Sequence, residues 1–127
     1  MFKLHVVASN KTEVLEKFPA TVDENIVIGE VLKFVDGKLT KATASDVPEF
    51  VAMSNDRDGF VTVKRIYEDE IYETKLAADG AALNIGDKVT IHEDGLQATA
   101  TTAGGVFEII EILDTAVGGA VRGLFRR

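Results

Sequence analysis

The chain contains no cysteine and no tryptophan, and only two histidines among its 127 residues. Without cysteine, disulfide bonds, thiolate metal sites and a cysteine nucleophile are all excluded. The fold must therefore be held together by packing alone, or by packing together with oligomerisation. The cellular compartment stays open, because a cysteine-free chain suits the cytosol as well as the outside of a cell.

The chain also lacks the segments that would direct it to a membrane or to nucleic acid. Residues 1–7 are too short and too interrupted by polar side chains for a signal peptide or a membrane span. The net charge of −7 argues against a general nucleic-acid binder, which carries a basic stripe. We therefore expect neither a membrane nor nucleic acid as partner. Arg122, Arg126 and Arg127 form a basic end that suits either an acidic partner or plain solubility.

Recognisable catalytic and metal-binding motifs are missing as well. His5 and His92 lie in separate predicted strands, each without a second ligand nearby. The acidic run 67–73 lacks the glycine and the alternating Asp/Asn pattern of a calcium loop, and the turn 55–59 lacks its distal glutamate. Neither Gly-Gly pair leads into a phosphate-binding loop, and no serine lies in a nucleophile elbow. We therefore expect no enzyme, no catalytic residue, no cofactor and no metal.

The most informative feature that is present is a motif that occurs twice. An Ile-Gly-acid triplet at 28–30 leads through an extended run to Asp36-Gly37, and a second triplet at 85–87 leads to Asp94-Gly95. A Thr/Ala-rich return run follows each turn, at 38–43 and 96–101. Asp-Gly between two extended runs is typical of hairpins, because the tightest turns need positive φ. We interpret the motifs as turn chemistry, with an internal duplication as the alternative.

Further strands are predicted by alternation of apolar and polar residues between clusters of turn residues. They lie at residues 2–8, 50–53, 60–66, 71–76, 106–113 and 120–125. Of these, 60–66 and 71–76 are expected to pair with each other across 68–70. The run 106–113 is apolar on both faces for much of its length, which is typical of a strand inside a sandwich or barrel.

A short helical turn is predicted over residues 11–17. Asn10 and Glu13 have the spacing of a capping box, Val14 and Phe18 have helical spacing, and Pro19 ends the turn.

The fold class expected from these elements is mainly β. Eight to ten short strands at regular spacing predict a small antiparallel β-sandwich or β-barrel, β-tulip-like, with short hairpins and at most one or two helical turns. No linker or charge block divides the chain, so residues 1–127 are expected to form a single β-rich domain. The sequence leaves open whether residues 1–24 are a partly independent N-terminal segment.

The order of parts over residues 25–127 resembles that of the small bacteriophage head decoration proteins, also called capsid cement proteins. The resemblance rests on four segments, residues 27–31, 52–54, 85–89 and the Gly- and Arg-rich end 118–127. It implies a non-enzymatic virion component, made in the host cytoplasm, that binds the outer surface of the expanded capsid. It also implies the major capsid protein as partner, bridging of its subunits, and a homotrimer on the capsid. Some members extend an N-terminal arm onto the capsid, whereas residues 1–7 of this chain are predicted to be a strand.

Two other functions remain as alternatives. The first is a ligand- or carbohydrate-binding module of a phage tail or baseplate, with Tyr67, Tyr72 and Phe60 as a stacking surface. The absence of tryptophan weakens it, because tryptophan offers the largest aromatic face. The second is a small enzyme that uses carboxylates as acid and base.

The carboxylates considered for this enzyme are Glu73, Glu93 and Asp94. In a hydrolase of this kind, two carboxylates act on opposite sides of the scissile bond, and their separation in space decides the chemistry. Sequence does not give that separation.

Overall fold

The computed structural model describes residues 1–6 and 14–126 of the chain. This part contains ten β-strands and no helix. The strands form two antiparallel sheets of five strands each, stacked as a sandwich and not closed into a barrel. The prediction of a mainly β, antiparallel sandwich is therefore confirmed. No helix in the described residues is long and apolar enough to cross a membrane.

The two sheets take their strands from interleaved parts of the chain. Sheet A runs β1 (Lys3–Val6), β7 (Ile71–Lys75), β10 (Ala120–Phe125), β9 (Phe107–Ile112) and β8 (Lys88–Val89). Sheet B runs β2 (Leu15–Pro19), β6 (Phe60–Arg65), β5 (Phe50–Ala52), β3 (Val31–Val35) and β4 (Lys38–Lys41). The first two strands of the chain thus lie at an edge of different sheets.

The first predicted hairpin is confirmed. Strands β3 and β4 pair directly, with Val35 opposite Lys38 across the turn. Asp36 (φ 52°) and Gly37 (φ 77°) both adopt positive φ. This is the turn geometry whose twist matches that of the flanking strands, which explains why the dipeptide predicted it.

The second predicted hairpin is wrong in its details. Strand β8 has two residues, and 96–101 does not form a regular strand. The turn is closed by the Gly95 amide, which donates to the His92 carbonyl at 2.9 Å. The return run divides its backbone hydrogen bonds between two neighbours, because Thr99 donates to Thr90 while Ala98 donates to Lys75. The two copies of the motif are therefore not structurally equivalent.

The predicted pairing of 60–66 with 71–76 is also wrong, because β6 belongs to sheet B and β7 to sheet A. The chain crosses from one sheet to the other between them. The predicted acidic turn is therefore an inter-sheet crossing, and Glu70, at its end, is buried.

The predicted helical turn over 11–17 is wrong where the structure describes it. Leu15, Glu16 and Lys17 are paired with β6 as part of β2. Asn10 and Glu13, the proposed capping box, lie outside the described residues. Sheet pairing to β6 satisfies the backbone groups that a helical turn would have satisfied locally.

The apolar side chains form two cores. The larger lies between the sheets and contains the rings of Phe2, Phe107 and Phe125, with centroids 5.0–5.5 Å apart. The smaller lies on the other face of sheet B, around Phe50 and Leu32. Neighbouring residues of β3 alternate between these two cores, so sheet B is apolar on both faces.

The two sheets are also joined by backbone hydrogen bonds. Ala44, just after β4, exchanges two bonds with Ile91, at 2.8 and 3.0 Å. The Val31 amide of β3 donates to the Gly95 carbonyl at 2.9 Å. We call these contacts, together with Glu30 beside them, the sheet junction.

Candidate functional site

A buried ion pair lies between the sheets. The Lys64 ammonium of β6 contacts Oε1 of Glu70 at 2.6 Å, and each residue is 2% exposed. The same oxygen accepts hydrogen bonds from the Tyr67 amide at 3.0 Å and the Tyr72 hydroxyl at 3.2 Å. Lys64 also donates to the Arg65 carbonyl at 2.8 Å. Charges buried in this way are tolerated because they are paired and hydrogen-bonded.

Sequence reasoning missed this pair. It interpreted residues 67–73 as a solvated acidic turn or a poor calcium loop. In the run 61–64 apolar and polar residues alternate, so Thr62 and Lys64 lie on the same face of the strand. Two polar residues on one face predict that this face is exposed to solvent. Sheet A covers that face, and no local pattern reveals a covering sheet.

A second buried ionisable group lies at the sheet junction. The Glu30 side chain is almost fully buried, and its Oε2 has no hydrogen-bond partner among the described residues. Burial raises the pKa of Glu30 to about 7, and the Lys41 ammonium, 4.0 Å from Oε1, together with a backbone hydrogen bond from Val27, offsets this only in part. Negative charge on Glu24 and Asp94 adds to the increase. Carboxyl groups whose pKa is shifted by burial occur more often at functional sites than elsewhere in proteins.

The two histidines are not brought together into a site. His5 lies exposed in β1. His92 lies at the start of the second turn, where its Nδ1 is 3.2 Å from Oδ1 of Asp94. Among residues 1–6 and 14–126, no group of three or more His, Asp or Glu side chains is arranged to hold a metal ion.

The three carboxylates considered for an enzyme take part in an ion pair, in hydrogen bonds within a turn, or lie exposed on that turn. Glu73 accepts a hydrogen bond from Arg122 at 2.9 Å. Asp94 fixes the second turn, accepting from the Leu96 amide and the Gln97 side chain, each at 2.8 Å. Glu93 is exposed on the same turn. These contacts are those of turn and surface chemistry.

The aromatic surface proposed for carbohydrate stacking does not form. Tyr72 is fully buried in the core between the sheets, where its ring packs against Phe125. Phe60 is exposed in β6, and the Lys17 ammonium lies 5.7 Å from its ring centroid. Stacking on a sugar needs exposed ring faces, which Tyr72 does not offer.

The basic end of the chain is largely neutralised within the fold. Arg122 donates to both Glu73 and Glu111 at 2.9 Å. Arg126 contacts Glu108 at 3.3 Å. These arginines therefore belong to a mixed-charge surface of sheet A, while Arg127 lies outside the described residues.

A group of exposed apolar side chains lies beside β1. Met1, Ile28 and Met53 are 46%, 46% and 38% exposed, and they line one groove of about 350 Å³ beside β1. Val27, next to Ile28, is exposed as well. We call these four residues the apolar rim. Contiguous exposed apolar side chains of this kind mark interaction surfaces.

Comparison with known proteins finds a likeness of structure. No family model matches the chain, and no curated protein matches its sequence. Among solved structures, the chain is similar to the N base of the head fibre protein gp8.5 of bacteriophage phi29, with a TM-score of 0.61. The alignment covers 88% of this chain and 94% of that chain at 19% identity. At this identity the likeness establishes a shared fold.

Proposed function

We propose that this protein is a non-enzymatic structural component of a phage virion that attaches to the outer surface of the head. The observation that carries the proposal is the likeness of nearly the whole chain to the base of a head fibre. The order of motifs in the sequence, which resembles that of head decoration proteins, supports the same role independently of the fold.

In this proposal the partner is the major capsid protein in its expanded lattice. The protein bridges neighbouring subunits as a homotrimer and so stabilises the shell. Neither nucleic acid nor a membrane takes part, in keeping with the net charge of −7. The trimer is tested by light scattering of the purified protein, which should give a mass about three times 13.7 kDa.

The apolar rim is the surface that we assign to attachment. It combines the thioether side chains of Met1 and Met53, which adapt readily to a partner surface, with the exposed aliphatic side chains of Val27 and Ile28. The outer surface of sheet A suits attachment less well, because its arginines are already paired with glutamates.

Purified protein should bind saturably to expanded heads that lack it and should raise their thermal stability. The measurement is co-sedimentation at increasing protein concentration, followed by calorimetry of the decorated heads. Unexpanded heads serve as the comparison, and they should bind less. Absence of saturable binding to expanded heads would contradict the proposal.

Charged substitutions in the apolar rim should weaken this binding. Ile28→Glu and Met53→Glu each place a carboxylate in a surface that loses water on attachment, so we expect at least a tenfold weaker apparent affinity for each. Val117→Glu is the matched control, because Val117 is exposed outside the rim and should bind as the wild type does. Equal affinity of all three variants would mean that attachment uses another surface.

A further inference from the structure

The sheet junction brings several charged groups around one buried carboxyl group. Glu30 directly precedes β3, whose first amide, that of Val31, donates to the Gly95 carbonyl. The Gly95 backbone lies so close to β4 that an added Cβ would contact the aliphatic chain of Lys41. Glu30 is therefore located where the second turn packs on sheet B.

The charges that surround Glu30 are unbalanced. Lys41 on β4 is the cation nearest to it, at 4.0 Å. Glu24, in the loop before β3, and Asp94, on the second turn, act on it as anions. Burial disfavours the charge of Asp94, but hydrogen bonds from Gln97, Leu96 and His92 outweigh this and hold its pKa below the usual range. Asp94 is thus negative at neutral pH.

The Met1 amine also lies near Asp94: burial lowers the pKa of this amine, Asp94 raises it in part, and Lys75 and Lys3 lower it further. Asp94 therefore interacts with this amine, with His92 and with the hydrogen-bond donors of its own turn. None of these groups donates to Glu30 Oε2, which is left without a hydrogen bond among the described residues.

We propose that Glu30 is a pH-dependent switch at the sheet junction, which is closed when the carboxyl group is protonated and opens more often when it is ionised. A neutral carboxyl group fits a buried site that supplies no hydrogen bond to one of its oxygens. An ionised one is repelled by Asp94 and gains hydration when the second turn moves away from β3 and β4.

The sign of the effect follows from linkage. The pKa of Glu30 is raised from 4.5 to about 7 in the closed structure. Its contribution to the closed state is therefore fully present below pH 4.5 and is lost as the pH rises through 7. Between pH 5.5 and pH 8.5 an open state that fully hydrates Glu30 should become about 30-fold more populated. The reason is that the closed state resists ionisation from pH 5.5 up to its pKa of about 7, and each pH unit of that interval contributes a factor of about ten.

Hydrogen exchange of single amides, corrected for the intrinsic pH dependence, tests this switch. The amides of Val31, Ala44 and Ile91 form the junction bonds, and amides of β10 serve as the internal reference for global unfolding. The junction amides should lose about 30-fold in protection between pH 5.5 and pH 8.5 relative to the reference. A carbon-detected NMR titration of the Glu30 carboxyl group should give a midpoint near 7.

Two variants make the result specific. Glu30→Gln keeps the size and stays neutral, so its junction protection should not change with pH. Glu93→Gln removes an exposed charge from the same turn and should retain the wild-type pH dependence. The proposal is overturned if the Glu30 carboxyl group titrates near 4.5, or if the junction amides of wild type and Glu30→Gln show the same pH dependence.

Discussion

Replacing Lys64 by methionine should lower the free energy of unfolding by about 3–5 kcal/mol, the cost of leaving a buried charge without its partner. The lysine and Glu70 are both 2% exposed, so solvent cannot compensate for the lost ammonium. Methionine keeps much of the volume, so that the loss reports on charge more than on packing. Chemical denaturation followed by circular dichroism measures the change.

A double variant and an exposed pair serve as controls. Lys64→Met with Glu70→Gln removes both charges and keeps an acceptor for the Tyr67 amide and the Tyr72 hydroxyl, so it should recover most of the loss. Lys33→Met breaks an ion pair of 2.8 Å whose side chains are about one-third exposed, and should cost less than about 1 kcal/mol. Equal costs for Lys64→Met and Lys33→Met would contradict the structure of the buried pair.

Replacing Gly123 by alanine should cost about 3 kcal/mol, at the upper end of overpacking effects. Gly123 lies in β10, the middle strand of sheet A, next to an irregularity in its pairing with β9. An added Cβ would overlap the Glu108 carbonyl and meet the Phe107 ring at 3.0 Å. A carbonyl in a paired strand cannot turn aside as a flexible side chain can, so β9 and β10 would have to separate.

Gly37→Ala is the matched control for this substitution. Gly37 has φ 77°, but an added Cβ there would meet nothing within 4 Å. Its cost should be limited to the backbone penalty of about 1–2 kcal/mol for an L-residue in this region. Denaturation curves of the two variants should therefore differ in midpoint, and a Gly37→Ala protein less stable than Gly123→Ala would contradict the described packing of sheet A.

Local signals in the sequence predicted the parts of the fold that depend on local geometry. Asp36-Gly37 predicted the β3–β4 hairpin because positive φ is required at both positions of that turn. The range of eight to ten strands and the class of antiparallel sandwich or barrel followed from the spacing of turns and from alternation. These features depend on neighbouring residues in the chain and not on how the two sheets pack against each other.

The parts that sequence reasoning missed depend on contacts between distant segments. Asp94-Gly95 is the same dipeptide as the first turn, but the run that follows it does not form a regular strand. Its backbone groups bond instead to the Asp94 side chain and to two neighbouring segments. Strands β6 and β7 are close in the chain and lie in different sheets. The burial of Lys64 and Glu30 depends on the packing of the other sheet and of the second turn, which alternation within one strand does not report.

The sequence predicted a kind of function but no residues of a site. The motif order indicated a phage head protein, and the fold is shared with the base of a phage head fibre. The sequence did not show that the residues of the apolar rim form one surface, because they come from three separated segments that the fold brings together. The Glu30 site was hidden for the same reason.

In the proposed function the chain is encoded by a phage, and electron cryomicroscopy of the virions of that phage tests the attachment to the head most directly. We expect density for the two five-stranded sheets on the outer surface of the head, with Ile28 and Met53 facing the major capsid protein. Purified virions that lack the protein altogether, or that carry it away from the head, would contradict this attachment.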